Sequence, residues 1–161
     1  MKQFLKEVIP YVVIIVVVVL IRVFIVTPVT VDGPSMQKTL YTGDVMLLYK
    51  FKKYNVNRYD IVVVQRENSR LVKRLIALPG ESIKCSGGKI YINGEEKTNE
   101  YGYCTSMDFT EVTLADDEYF VIGDNRGDSL DSRFFGPVKK EQILGTTNFI
   151  LYPFNRFGKV K

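Results

Sequence analysis

The chain has 161 residues, 46% of them hydrophobic and 25% charged, with 22 Lys and Arg against 18 Asp and Glu for a formal net charge of +4. That length suits one domain plus a short extra segment, and so small a charge, spread without blocks, argues against a nucleic-acid partner and for a mildly basic surface near anionic lipid. With 0 His and 2 Cys, the usual general base of a hydrolase is missing and a zinc centre lacks its donors.

The first element is an apolar run, Val8 to Val26, broken only by Pro10, Tyr11 and Arg22. As a helix such a run spans ~28 Å at about 1.5 Å per residue, enough to cross the hydrocarbon core. Lys2, Lys6 and the amino terminus precede it, against Glu7 alone. The positive-inside rule therefore predicts residues 1–26 as a cytoplasmic N-terminus with a transmembrane anchor, and residues 27–161 as an extracytoplasmic catalytic domain. Arg22 lies close enough to the outer end to snorkel to the headgroups. A cleaved secretory signal is the competing reading, but the exit Val26-Thr27-Pro28-Val29 offers no small-x-small site.

After the anchor the pattern is that of short strands punctuated by turns. Val45–Tyr49 and Ile61–Val64 are compact apolar runs. Leu71–Leu78 is a β-like run ended by Pro79-Gly80, and Lys89–Ile92 ends at Asn93-Gly94, a strong hairpin signal. Glu118–Ile122 stops at Gly123-Asp124, and Thr147–Tyr152 stops at Pro153. Glu100–Thr113 is polar and is predicted as an insertion loop. Cys85 and Cys104 either close a disulfide across ~20 residues, worth about 3 kcal/mol, or remain free thiols. No long helical period follows the anchor. The predicted fold class is mostly β: one N-terminal transmembrane helix, then a sandwich or partly closed barrel.

Three stretches carry chemistry. In TVDGPSMQKTL, Thr30 to Leu40, a Gly-Pro-Ser-Met turn presents Ser35 just beyond the anchor. A serine nucleophile needs a base, and without histidine the candidates are lysine, a carboxylate or the amino terminus, the last lying across the membrane. Most lysines stand in polar turns, whereas Lys73 shares a β face with Leu71, Leu75 and Ala77 while Arg74 points the other way. To act near neutral pH its pKa must fall by ~3 units from about 10.4, roughly 4 kcal/mol, which burial can supply to a lysine and not to an arginine. The bland alternative is an edge-strand lysine whose stem covers apolar surface and whose head reaches water. The third stretch, Gly123 to Gly136, is dense in polar side chains after an apolar strand. It reads either as a solvated loop or as a hydrogen-bonded shell around a reactive site; Arg126 breaks the alternation of acids that a calcium loop needs.

In joint order and spacing these stretches resemble the type I signal peptidases, membrane-bound Ser/Lys proteases that cut signal peptides from exported proteins, in their short Gram-positive form. The likeness covers nearly the whole chain: the anchor, the Gly-Pro-Ser-Met box, Gly43-Asp44, Tyr59 to Val62, Lys73 to Glu81, and Gly123 to Arg133. The resemblance implies Ser35 as nucleophile, Lys73 as general base, Ser129 as the hydroxyl that aims Lys73, and Asp131 with Arg133 as a structural ion pair. It places Asp124 and Arg126 in the scaffold of the same box. It implies an oxyanion site at the Ser35 backbone N–H; the second donor that part of the family draws from a serine falls here on Gly33. Lys38 stands where the family has proline, which could loosen the turn or alter substrate choice.

The family binds substrate as an extended strand. Here Val29 to Asp32 and Arg70 to Lys73 would flank it, and Val31, Met36, Leu40 and Leu71 would line shallow pockets for an A-x-A motif, core packing being the other reading of all four. The implied partners are signal-peptide-bearing preproteins and membrane lipid, with the secretion translocon nearby and no nucleic acid. No cofactor and no metal is needed. Phe134, Phe135, Phe154 and Phe157 are candidates for dipping into the membrane interface. The rivals are an inactive family member acting as a binding partner, a pilin-like subunit, and a self-cleaving Ser/Lys regulator. Pro28 stops the long helix that a pilin needs, and no DNA-binding segment supports the regulator.

Overall fold

In a computed structural model that describes residues 2–97, 100–104 and 107–160, the apolar run begins as helix α1, Lys2–Leu20, and continues through a π-helical segment, Ile21–Ile25. Lys6–Ile25, 20 residues of mean hydropathy 3.1, is long and apolar enough to cross a membrane, and its most apolar window is unburied. Strand β1, Val26–Thr30, starts at once. The carbonyls at the helix end lack intrahelical donors. The Thr27 hydroxyl donates to the Arg22 carbonyl at 2.8 Å and Lys50 Nζ to that of Val23 at 2.9 Å. A cation there also complements the helix dipole.

The larger sheet runs β1, β2 (Val45–Tyr49), β11 (Ile143–Tyr152), β3 (Ile61–Arg66), β4 (Ser69–Ala77), β9 (Glu118–Ile122) and β10 (Val138–Lys139), with β12 (Gly158–Lys159) beside β11. All its pairings are antiparallel. Three strands separate β1 from β4, so in a flat sheet they would stand ~19 Å apart at about 4.8 Å per strand. Yet Val29 of β1 and Val72 of β4 belong to one buried cluster with Met36, Leu40, Met46, Ile61 and Val63. The sheet therefore curls, bringing its first strand, β1, over toward β4. A second cluster, Val62, Val64, Leu75, Val121 and Ile143 among others, fills the opposite face of β3 and β4.

The smaller sheet, β7 (Glu95–Glu96), β6 (Lys89–Ile92), β5 (Ser82–Ser86) and β8 (Phe109–Thr113), covers a third cluster. Asn93-Gly94 turns the hairpin from β6 to β7 as predicted. Cys85 of β5 is joined to Cys104 in a disulfide, so the pair does not persist as free thiols, and both residues are buried in that third cluster.

Two expectations are corrected. Glu100–Thr113 is not loop throughout, because β8 pairs with β5 over Ser82↔Thr113 and Ile83↔Val112. Phe109 and Val112 are its only apolar residues, and a register shift between Ile83 and Cys85 breaks their alternation, so the period-two signal is absent from the sequence. The last long strand begins at Ile143 rather than Thr147, with a bulge between Ile143 and Gly145 that hid its start. Of the four phenylalanines expected at an interface, Phe134, Phe154 and Phe157 are exposed, but Phe135 packs against the Val62 cluster beneath the Arg66 guanidinium.

Candidate active site

Residues Asp32 to Gly43 bridge β1 and β2. The β1–β2 ladder persists one step further, with Val31 N–H donating to the Asp44 carbonyl and Gly43 N–H to that of Val31. Met36 and Leu40 are 1% and 0% exposed, so they pin the loop to the core and leave the half-buried Ser35 facing the opposite way. Gly33 holds φ +89, a left-handed conformation that a serine would adopt only under strain. Among the described residues nothing accepts a hydrogen bond from the Ser35 backbone N–H.

Lys73 reaches this turn from β4. Alternation puts its side chain with Leu75 and Val62, on the face of the second cluster, and Lys73 pairs with Val62 in the β3–β4 register. The face is continuous only as far as Leu75: a register shift between Leu75 and Ala77 moves Ala77 into the third cluster. Lys73 is 3% exposed, and its Nζ lies 2.6 Å from Ser35 Oγ. Burial lowers its pKa to about 8; Asp131 opposes that fall, Arg133 adds to it and Asp124 opposes it. The amine is therefore not the snorkelling lysine of the bland alternative.

Around this pair the Gly123–Arg133 segment forms a hydrogen-bonded frame. Asp131 is 0% exposed and accepts from Gly123 N–H at 2.9 Å and from Arg133 Nε at 2.8 Å and Nη2 at 2.9 Å. Burial alone would raise its pKa, but the bonds from Arg133, the Ser129 hydroxyl and Gly123 N–H hold it below the ordinary carboxylate value. Asp131 also caps the single turn α2, Ser132–Phe135. Ser129, expected to aim Lys73, has among the described residues no hydrogen bond to that amine; its buried hydroxyl acts on Asp131 instead. Among the described residues the one hydrogen bond of the Lys73 amine goes to Ser35.

The sequence reading missed the part that four residues play in holding the turn. Asn125 donates from its backbone N–H to the Ser35 carbonyl at 3.0 Å and from Nδ2 to that of Pro34 at 3.2 Å. Arg74 grips Asp124 with Nε at 2.8 Å and Nη2 at 2.6 Å, while Thr39 Oγ1 donates to the same carboxylate at 2.6 Å. Arg156 bonds Asp44 and donates to the Thr39 carbonyl, closing the far end of the loop. A buried arginine in an apolar run demands a fixed acid, so Arg74 could have been flagged from sequence, but not its partner. Of the four pocket candidates, Val31, Met36 and Leu40 are buried in the core, and Leu71 alone is half open.

Gly123 sits where the frame touches the turn. A Cβ there would meet Ser129 Oγ at 2.2 Å and the Ser35 carbonyl at 2.4 Å. Backbone cannot yield as a side-chain tip can, so Gly123→Ala is expected to displace the Ser35 turn. Misplacement by ~1 Å costs on the order of 10²-fold in rate, and the fall should appear in kcat more than in KM. Steady-state kinetics check this; a variant with unchanged kcat would contradict it.

The chain matches the family model described as signal peptidase, peptidase S26, over residues 4–152. It is 40% identical to a signal peptidase I of Bacillus amyloliquefaciens over 91% of this chain and 87% of the relative. It is 38% identical to signal peptidase I S of Bacillus subtilis (strain 168), over 90% of this chain and 87% of that protein. The crystal structure of a signal peptidase I from Enterococcus faecalis V583 superposes with a TM-score of 0.50 at 32% identity, covering 57% of this chain and 96% of that one. Likeness sustained over nine-tenths of both sequences, on a shared β architecture, leaves one assignment: the chain belongs to the signal peptidase family, peptidase S26, and is a serine peptidase.

Proposed function

We propose that the protein is a membrane-anchored endopeptidase that removes signal peptides from exported preproteins after small residues, with Ser35 as nucleophile and Lys73 as general base. One observation carries the reading: a lysine amine 3% exposed and 2.6 Å from a serine hydroxyl. When the amine is neutral the contact reverses, the hydroxyl donating to Nζ. Oγ then attacks the scissile carbonyl and its proton passes to Lys73. The Ser35 N–H is free to hold the oxyanion. Lys73 returns the proton to the leaving amine, and then activates the water that releases the acyl group. Asp131, Arg133, Asp124 and Arg126 position these groups, with Ser129 packed between Asp131 and Gly123.

The substrate strand has a berth. β1 is an edge strand, paired with β2 alone. The first half of β4, Ser69 to Lys73, pairs with β3 alone, because its register with β9 begins at Arg74. Two unpaired edges converge on Ser35, and an extended peptide between them gains ladder bonds on both sides. Leu71 lines the open side of such a strand, with Val31, Met36 and Leu40 as the floor that leaves room only for small side chains. The apolar helix anchors the domain, with its basic amino-terminal end in the cytoplasm and the exposed Phe134, Phe154 and Phe157 available to the lipid interface.

The test is cleavage of a preprotein by the full chain in detergent micelles across pH. Because the reactive form is the neutral amine, kcat/KM should climb with pH through about 8 and level off above it. No cleavage at any pH would leave a family member without catalysis, the binding-partner alternative. A profile that does not titrate between pH 6 and 9 on about a tenfold-per-unit slope would remove Lys73 as base.

A further inference from the structure

A second cleft lies immediately past the nucleophile. It measures about 360 Å³ and is lined by Gln37, Lys38, Tyr103, Asn125 and Arg126, with Asp124 at its inner wall. Its floor is the loop whose Asn125 holds the Ser35 and Pro34 carbonyls, so two hydrogen bonds tie the cleft to the nucleophile's turn. On the reading above, the signal-peptide side of the substrate fills the groove between β1 and residues Ser69 to Lys73. That groove ends at Lys73, since β9 occupies the β4 edge from Arg74 onward. β9 runs directly into Gly123–Gly127, the cleft's own loop. The chain beyond the scissile bond must therefore leave over this cleft.

The charge lining it is positive. Lys38 is exposed, and among the described residues it makes no ion pair. Arg126 is 3% exposed and stacks on the Tyr103 ring at 4.9 Å; it donates to the Tyr101 carbonyl at 3.0 Å, but among the described residues it meets no carboxylate in an ion pair and its Nε and Nη1 have no hydrogen-bond partner. Asp124, the one acid in the lining, is already engaged by both nitrogens of Arg74. Asp128, next along the loop, is exposed and outside the cleft.

We infer that this cleft receives the first residues of the released, mature segment and selects there for acidic side chains, with Lys38 as the specificity-determining residue. The inference rests on the signal peptidase reading. An exposed charge pair is worth up to about 1 kcal/mol, or roughly fivefold in rate constant, and is screened by salt.

The experiment uses the full chain in micelles and two preproteins identical except for the two residues after the cleavage point, Glu-Glu in one and Lys-Lys in the other. In the wild type, kcat/KM for the Glu form should exceed that for the Lys form by about fivefold or more at low salt, and the ratio should shrink as salt rises. Lys38→Gln should lower the ratio and Lys38→Glu should bring it to one or below. Lys140→Glu, an exposed charge outside the cleft, should leave it unchanged. Reading the ratio within each variant removes any loss of folded protein, which lowers both terms alike. A wild-type ratio near one, an unchanged ratio in Lys38→Glu, or an equal shift in Lys140→Glu would overturn the inference. Failure of the wild type to cleave either preprotein would overturn the peptidase reading beneath it.

Discussion

Lys73→Met is expected to lower kcat by about 10³-fold or more while making the protein more stable. The loss follows from removing the amine proposed as base, which among the described residues is the one titratable side chain hydrogen-bonded to Ser35 Oγ; general-base catalysis alone is worth on the order of 10² to 10⁴. Lys73→Arg should be equally inactive, because a guanidinium stays protonated at every working pH. Combining Lys73→Met with Ser35→Ala should cost no more than the worse single change, since the two act as one unit. The gain in stability has a separate cause. A pKa lowered from 10.5 to about 8 by burial means that the dry site disfavours the charged amine by about 3 kcal/mol.

The sign of the linkage is fixed by the direction of that shift. Below about 8 both the folded and unfolded chains carry the proton, and the penalty is felt in full. Between about 8 and 10.5 the folded chain has shed its proton and the unfolded chain has not, so the penalty fades as pH rises. Methionine fills similar space without charge. Denaturant unfolding should therefore show Lys73→Met more stable than wild type at pH 7, with the difference narrowing by pH 10. A variant less stable than wild type at pH 7 would mean that Lys73 is a structural cation.

Asp131→Asn is expected to remove about 3 to 5 kcal/mol of stability, the cost of leaving a buried charge without its partner. The Arg133 side chain is 1% exposed and would face an amide where it now faces a carboxylate. In a domain stable by about 5 to 15 kcal/mol that is a large share. Asp131 has its folded pKa depressed by Arg133, Ser129 and Gly123 against the opposing pull of burial. Its contribution is thus complete above the unfolded carboxylate value and lost as pH falls through the folded one; the variant should lose this acid-side dependence.

A second readout separates a structural role from an electrostatic one. Asp131 raises the Lys73 pKa and Arg133 lowers it. With the carboxylate gone and the guanidinium unopposed, the acid limb of kcat/KM should move below its wild-type position near 8. A limb that stays in place, in a variant that still folds, would show that Asp131 does not act on the amine.

The strands legible in the sequence were those whose apolar residues alternate or cluster between turns. Val45–Tyr49 and Glu118–Ile122 were predicted to the residue, and Ile61–Val64 to within its polar tail. β5 and β8 were not, because each offers two apolar residues and a bulge spoils their register. Lys73 stood out for a local reason, an amine on an otherwise apolar face, whereas Ser35 stood out only through the joint order of the boxes that resemble the family.

The partners of the charged residues were another matter. Alternation alone put Arg74 on the face away from Lys73, but Asp124 lies 50 residues downstream and Asp44 and Arg156 are 112 apart. A period-two pattern fixes which face a residue takes and nothing about what will be opposite it across the fold. Likewise Ser129 was assigned to Lys73, whereas Gly123 brings it against the Ser35 turn and Asp131.

By itself, then, the sequence determined an apolar helix long enough to cross a membrane, the β class, and an amine on an apolar face, because each follows from local hydrophobic pattern. Only the tertiary structure decided that the amine is dry, that it meets the hydroxyl, and that a positive cleft opens beyond them. Those are consequences of a sheet curling until β1 comes near β4, and dielectric, distance and shared cavity walls belong to the folded chain rather than to any segment of it.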